Sequence, residues 1–163
     1  MYKLFATLSL LFALVACDRK NDELWNIERE QIRTYLKNNG ITDYVEDEKA
    51  GLFYYFTDLD SIGTGRPNVT SVVEMNYSIR DLAGNTLFAT ASGEAEMIDL
   101  DAAIVGWQLG LPNFYRGSKV VLILPSRLAY GENGFYDAVN NINIPANSIL
   151  LFDMEIVEIH PHF

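Results

Sequence analysis

The sequence holds one cysteine, Cys17, and two histidines, and only 12 of its 163 residues are Lys or Arg. A single thiol makes no internal disulfide and no cysteine-based zinc site. The 22 acidic residues leave a formal net charge of −10. That balance argues against sequence-independent nucleic-acid binding, which needs clustered Lys and Arg to replace counterions. Neither a Ser/His/Asp nor a His/Glu constellation can be read along the chain, which counts against hydrolase and metalloenzyme chemistry. His160-Pro161-His162 has no added ligand and reads as a solvated end. Gly63-Thr64-Gly65 lacks the Lys and the following helix of a phosphate loop. The expectation is therefore no metal and no cofactor. There is also no internal repeat and no low-complexity segment. What remains is a chain 49% apolar and 12% aromatic, enough for one well-packed domain.

The first 16 residues, MYKLFATLSLLFALVA, carry one charge, Lys3, ahead of an apolar run too short for a comfortable membrane span. They read as a secretory signal. The boundary Leu14-Val15-Ala16-Cys17 resembles a bacterial lipobox, which implies that Cys17 carries lipid and that this lipid is the membrane anchor. Residues 17–50 would then form a tether and a helical lead-in. In the lead-in, from about Asn21 to Asn39, Leu24, Trp25, Ile32, Tyr35 and Leu36 fall on one helical face, which Glu28 interrupts. Asn38-Asn39-Gly40 stops the helix. Acidic Asp43–Lys49 reads as a surface linker.

Residues 51–163 read as the main domain. Gly51–Phe56 is aromatic enough for a strand. In Val72–Arg80, Val73, Met75, Tyr77 and Ile79 alternate with polar residues, the pattern of a half-buried antiparallel strand. Asp81–Asn85 turns the chain into a return strand at Thr86-Leu87-Phe88. A short strand is predicted over Met97–Leu100, and a short helix over Asp101–Leu109 with Asp101 as N-cap. Lys119–Leu124 is apolar on both faces and hence central; Pro125 ends it. Ser126–Asn147 has no apolar period and reads as a long functional loop. Ser148–Ile159 is the last strand, with Leu150, Phe152, Met154 and Ile156 on one side. This order predicts an α+β fold, an antiparallel sheet with a helix on one face.

Five segments carry a resemblance when taken in order. They are Met75-Asn76-Tyr77-Ser78, Leu87-Phe88, Ala103-Ile104-Val105-Gly106-Trp107-Gln108-Leu109-Gly110-Leu111, Leu124-Pro125-Ser126-Arg127-Leu128-Ala129-Tyr130-Gly131 and Ile144-Pro145-Ala146-Asn147-Ser148-Ile149-Leu150-Leu151-Phe152-Asp153. Together they resemble FKBP-type peptidyl-prolyl cis–trans isomerase domains. The lead-in and lipid anchor resemble a lipoprotein subgroup of that family, some members of which are linked to gliding motility.

The resemblance implies an FKBP-like antiparallel sheet wrapped over one short helix, and an isomerase needing no cofactor. Tyr77, Phe88, Trp107 and Phe152 would wall the proline ring, with Trp107 as the floor. Ile104 would lie under the substrate and offer its N–H, Tyr130 would donate its hydroxyl to the substrate carbonyl, and Ala103 and Ile144 would line the substrate. The partners implied are Xaa-Pro-containing polypeptides and, through the lipid, a membrane of the bacterial cell envelope, facing periplasm or cell surface. Some positions depart from the family. Ala89 stands where an acidic residue often follows the pocket phenylalanine, so a side-chain partner for Tyr77 is missing there. Ser92–Asp99 has no aromatic, Glu94, Glu96 and Met97 standing nearby instead, and Leu128 replaces a frequent aromatic. Two alternatives stay open: a non-catalytic module that holds polypeptides, and a structural envelope lipoprotein whose helix docks a complex.

Overall fold

The computed structural model describes residues 22–58, 63–91 and 94–160. Cys17 and the proposed signal in residues 1–16 lie outside the described residues. The lead-in forms a helix, α1, over residues 22–38, and Gly40 leaves it in the left-handed region at φ +68°. Nine strands follow: β1 (Val45–Asp47), β2 (Leu52–Asp58), β3 (Val72–Asp81), β4 (Thr86–Ala89), β5 (Glu96–Asp99), β6 (Lys119–Leu124), β7 (Phe135–Asp137), β8 (Ile142–Ile144) and β9 (Leu150–His160). The helix α2 (Val105–Gly110) lies between β5 and β6.

Seven strands make one antiparallel sheet in the order β1-β2-β6-β9-β3-β4. β5 pairs with β3 on the edge that β4 also uses, β4 against Ser78–Arg80 and β5 against Val72–Met75. β6 is central, as its two apolar faces require, between β2 and β9.

Alternation sorts the two faces. The row Tyr54–Leu122–Phe152–Ile79–Phe88 crosses five strands in register on the inner face. Leu122 and Phe152 are fully buried there with Leu111, Phe114 and Trp107 from the α2 side. On the outer face Phe53, Val121, Ile123 and Leu151 are covered by Ile32 and Leu36 of α1. The sheet thus has a helix against each face.

Three sequence expectations need correction. Asp43–Lys49 is not a free linker: its middle is β1, paired with β2 through Val45↔Tyr54, Glu46↔Phe53 and Asp47↔Leu52. Its polar composition is tolerated because Arg29 and Arg33 of α1 both donate to the Glu46 carboxylate. Asp101–Leu109 is not one helix. A single 3₁₀ turn, Leu100–Ala102, is followed by extended Ala103 (φ −77°, ψ 169°) before α2 begins, and Asp101 caps neither piece. Ser126–Asn147 has structure of its own: 3₁₀ turns at Ser126–Leu128 and Gly131–Asn133 and a hairpin of β7 and β8.

Candidate functional site

Inner-face residues of β3, β4 and β9 meet α2 in one aromatic chain. Trp107 stands edge-on to Tyr77 (5.0 Å between centroids, 86°) and to Phe152 (5.3 Å, 79°), and Phe88 tilts against Tyr77 at 5.3 Å. Trp107 reaches this depth because its helix lies close on β6. A Cβ at Gly106 would collide with the Leu124 side chain, and one at Gly110 would sit 3.0 Å from Leu122. The turn before α2 is pinned by Gln108, whose Nε2 donates to Ala103 O at 2.8 Å and Asp101 O at 3.1 Å. β3 is held beyond the end of β4 by Thr90, whose N–H donates to Tyr77 O and whose Oγ1 accepts from Tyr77 N–H.

Over Trp107 opens a cleft of about 320 Å³, walled by Tyr77, Met97, Ile98, Ile104 and Tyr130, with Ala103 at its edge. Tyr77, Ala103, Ile104, Trp107 and Tyr130 therefore converge on one space. The other three expected residues do not line it. Phe152 is fully buried behind Trp107, Phe88 backs Tyr77, and Ile144 is buried on β8. Phe135, which begins β7, stacks on Tyr130 at 4.9 Å and extends the aromatic wall outward. The long excursion thus stands at the rim of the cleft.

Polar groups in the cleft are few, and each has a physical setting. The Tyr77 hydroxyl donates to Glu96 Oε2 at 3.1 Å, so a carboxylate from β5 supplies the partner that Ala89 does not. Glu96 is visible in the sequence near the pocket positions, but its reach to Tyr77 comes from the pairing of β5 with β3, which sets Glu96 opposite Met75. Burial, then the Glu96 charge and its hydrogen bond, push the Tyr77 phenol well above its ordinary range. Burial also raises Tyr130, and both phenols stay protonated donors at neutral pH. The Trp107 Nε1–H is buried without a partner among the described residues. The Ile104 N–H stands at the N-cap of α2, where a helix leaves its first donors unused.

Two larger grooves lie on the other side of the sheet. One of about 890 Å³ runs along α1 past Ile27, Tyr35 and Leu82. One of about 420 Å³ is of mixed lining and crosses Asn76, Ser78, Lys119 and Glu155. Neither has an aromatic floor with donors converging on it, so size does not select the site; chemistry selects the cleft over α2. Among the described residues no three His, Cys, Asp or Glu side chains stand close enough to share a metal ion.

The sequence and the fold have relatives among known proteins. The family model described as FKBP-type peptidyl-prolyl cis-trans isomerase matches residues 63–157. The chain is 35% identical over 128 residues to the FKBP-type peptidyl-prolyl cis-trans isomerase FkpA of Aeromonas hydrophila, covering 77% of this chain and 44% of that protein. Against FkpA of Escherichia coli K12 it is 33% identical over 135 residues, covering 82% and 45%. The chain therefore spans less than half the length of these relatives. Among solved structures, FkpA from Escherichia coli superposes with a TM-score of 0.69 at 26% identity, over 97% of this chain and 72% of that one. A peptidyl-prolyl cis-trans isomerase from Pseudomonas syringae pv. tomato gives 0.63 at 26% identity, over 78% and 90%.

Proposed function

The chain belongs to the FKBP-type peptidyl-prolyl cis–trans isomerase family, and from that premise we propose that its cleft over α2 isomerises Xaa-Pro bonds in polypeptides. The observation that carries the proposal is the convergence of Tyr77, Ile104 and Tyr130 over the buried Trp107 indole.

Rotation about a peptide bond is opposed by a resonance barrier of roughly 18–20 kcal/mol, and for Xaa-Pro it takes tens to hundreds of seconds uncatalysed. The twisted amide has lost that resonance and its carbonyl is less dipolar than the planar one. A water-poor aromatic site favours it over the planar ground state, which is differential stabilisation without proton transfer. In this mechanism the proline ring rests on Trp107, which Phe152 backs from below. The Tyr130 hydroxyl, which has no acceptor among the described residues, donates to a substrate carbonyl and holds one side of the bond while the other turns. The Ile104 N–H supplies a second fixed donor. Glu96 holds the Tyr77 phenol in place and keeps it from competing for the substrate.

The substrates proposed are exported polypeptides whose folding waits on proline, met in the bacterial cell envelope. The Leu14-Val15-Ala16-Cys17 boundary supports export and lipid attachment at Cys17. No helix among the described residues is long and apolar enough to cross a membrane. Replacing Cys17 with Ala should move the protein from the membrane fraction to the soluble fraction. Membrane association unchanged by that substitution would remove the lipid anchor. The activity is tested by refolding a protein whose slow phase is a prolyl isomerisation. The chain should accelerate that phase catalytically, and Tyr130→Phe should weaken the effect while the fold is retained.

A second reading has its own support. Apolar side chains stand exposed on the elements that carry the cleft and its neighbouring hairpin: Met97 on β5, Val105 and Leu109 on α2, and Phe135, Tyr136 and Val139 on the hairpin. Exposed apolar surface of this kind suits holding unfolded chains. Suppressed aggregation of a proline-free unfolded protein, with no acceleration of prolyl isomerisation, would favour holding over catalysis.

A further inference from the structure

Glu28 is the residue that interrupts the apolar face of α1, yet it is buried, with only 3% of its surface exposed. Its Oε2 accepts the Ser126 N–H at 3.0 Å, a buried contact between residues 98 positions apart. Ser126 opens the 3₁₀ turn Ser126–Leu128, which closes through Ala129 N–H on Ser126 O and delivers the chain to Tyr130. One helical turn before Glu28, the Trp25 ring lies under the guanidinium of Arg127 at 3.7 Å. Trp25 and Glu28 thus grip consecutive residues of the turn. Gly51, at φ +82°, gives the indole its space, since a Cβ there would overlap the Trp25 ring. Three separate segments meet at the base of the turn that carries the cleft's hydroxyl donor.

We infer that Glu28 is a positioning residue for Tyr130, so that the lead-in helix, which lies outside the family-matched residues 63–157, sets the geometry of the isomerase cleft. The inference rests on the isomerase reading for its consequence in catalysis and on the Glu28–Ser126 contact for its geometry. The buried Ser126 N–H needs an acceptor, which Glu28 Oε2 supplies, and an unpaired N–H at Ser126 would destabilise the turn. The second carboxylate oxygen, Oε1, is buried without a partner among the described residues. A side chain selected only for packing would be apolar at this point of the face.

The test uses the full-length chain with Glu28→Ala and Glu28→Gln. The glutamine keeps a carbonyl oxygen that can accept from Ser126. In Glu28→Ala the Ser126 amide should exchange with solvent at least tenfold faster. The Tyr130 ring resonances should shift or broaden, those of Tyr54 on the far side of the core should stay, and kcat/KM on an Xaa-Pro peptide should fall about tenfold. Glu28→Gln should restore all of these to near the parent values. Tyr130 resonances unmoved in Glu28→Ala would overturn the inference whatever the activity. So would a Glu28→Gln chain as impaired as the alanine variant. A parent chain that folds but isomerises nothing would sink the isomerase reading alone, and the Tyr130 resonances would still decide the positioning.

Discussion

Placing a single methyl group on Gly106 tests how the cleft floor is built. Gly106 is buried in α2 directly before Trp107, and its φ is not in the left-handed region, so alanine meets no backbone strain there. Helix propensity alone would favour alanine by at most about 1 kcal/mol. Against that, the new Cβ would fall within 3.0 Å of three carbons of the Leu124 side chain. Leu124 is fully buried at the end of the central strand β6, so it has little room to rotate away. Overpacking costs roughly 1–3 kcal/mol, and three contacts this short put Gly106→Ala in the upper part of that range, about 2–3 kcal/mol, so the clash outweighs the propensity gain by about 1–2 kcal/mol. For a chain of this size that lowers the melting temperature by about 2–8 °C. Because Trp107 is the next residue, the lifted helix should also disturb its contacts with Tyr77 and Phe152 and lower peptide affinity. Thermal unfolding and peptide titration of Gly106→Ala measure both. Gly110→Ala is the milder companion and should cost less, since its new Cβ would sit 3.0 Å from the nearest Leu122 carbon, which need give only a few tenths of an ångström. A Gly106→Ala chain as stable as the parent would refute the tight helix–strand contact from which the floor is derived.

Other outcomes follow from the same structure. Tyr77→Phe removes the hydroxyl bonded to Glu96 and keeps the ring; it should cost about 0.5–1.5 kcal/mol in urea unfolding and leave the indole floor packed. Tyr54, Tyr55, Tyr77 and Tyr130 are all raised above the ordinary 10.0, each mainly by burial. Below pH 10 both folded and unfolded states hold these protons, so nothing is lost. Above it the unfolded chain releases protons that the folded chain keeps, so stability falls with rising pH, and the urea midpoint should drop once the pH passes about 10. Glu46→Ala deletes the acceptor shared by Arg29 and Arg33; it should loosen α1 from β1 by about 1 kcal/mol, with an effect that shrinks at high salt.

Strands β3, β6 and β9 were legible because alternation and two-faced apolarity are local properties of the chain. Tyr77, Trp107 and Tyr130 were placed by the order of motifs around them, since no spacing rule alone distinguishes a cleft aromatic from a core one. The remainder was hidden for definite reasons. β1 is a polar edge strand whose acidic side chains are answered by arginines on α1, a pairing no window over Asp43–Lys49 contains. β7 and β8 have three residues each, too few for a period, and are joined by the short turn Ala138-Val139-Asn140-Asn141. The helix expected over Asp101–Leu109 fails at Ala103, where the chain extends so that α2 can lie on β6 through Gly106 and Gly110. Glu28 showed in the sequence only as a break in an apolar face. Its partner, the Ser126 N–H, is a backbone group, and backbone groups leave no mark in a residue pattern.

The most direct measurement is magnetisation exchange between the cis and trans resonances of a short Xaa-Pro peptide in the presence of the full-length chain. Catalysis in the cleft over α2 requires exchange peaks at substoichiometric protein. These peaks should weaken in Tyr130→Phe and be lost in Ile104→Asp, which puts a charge into the apolar wall. A folded chain that leaves the cis and trans resonances unexchanged would contradict the assignment of that cleft as an isomerase site.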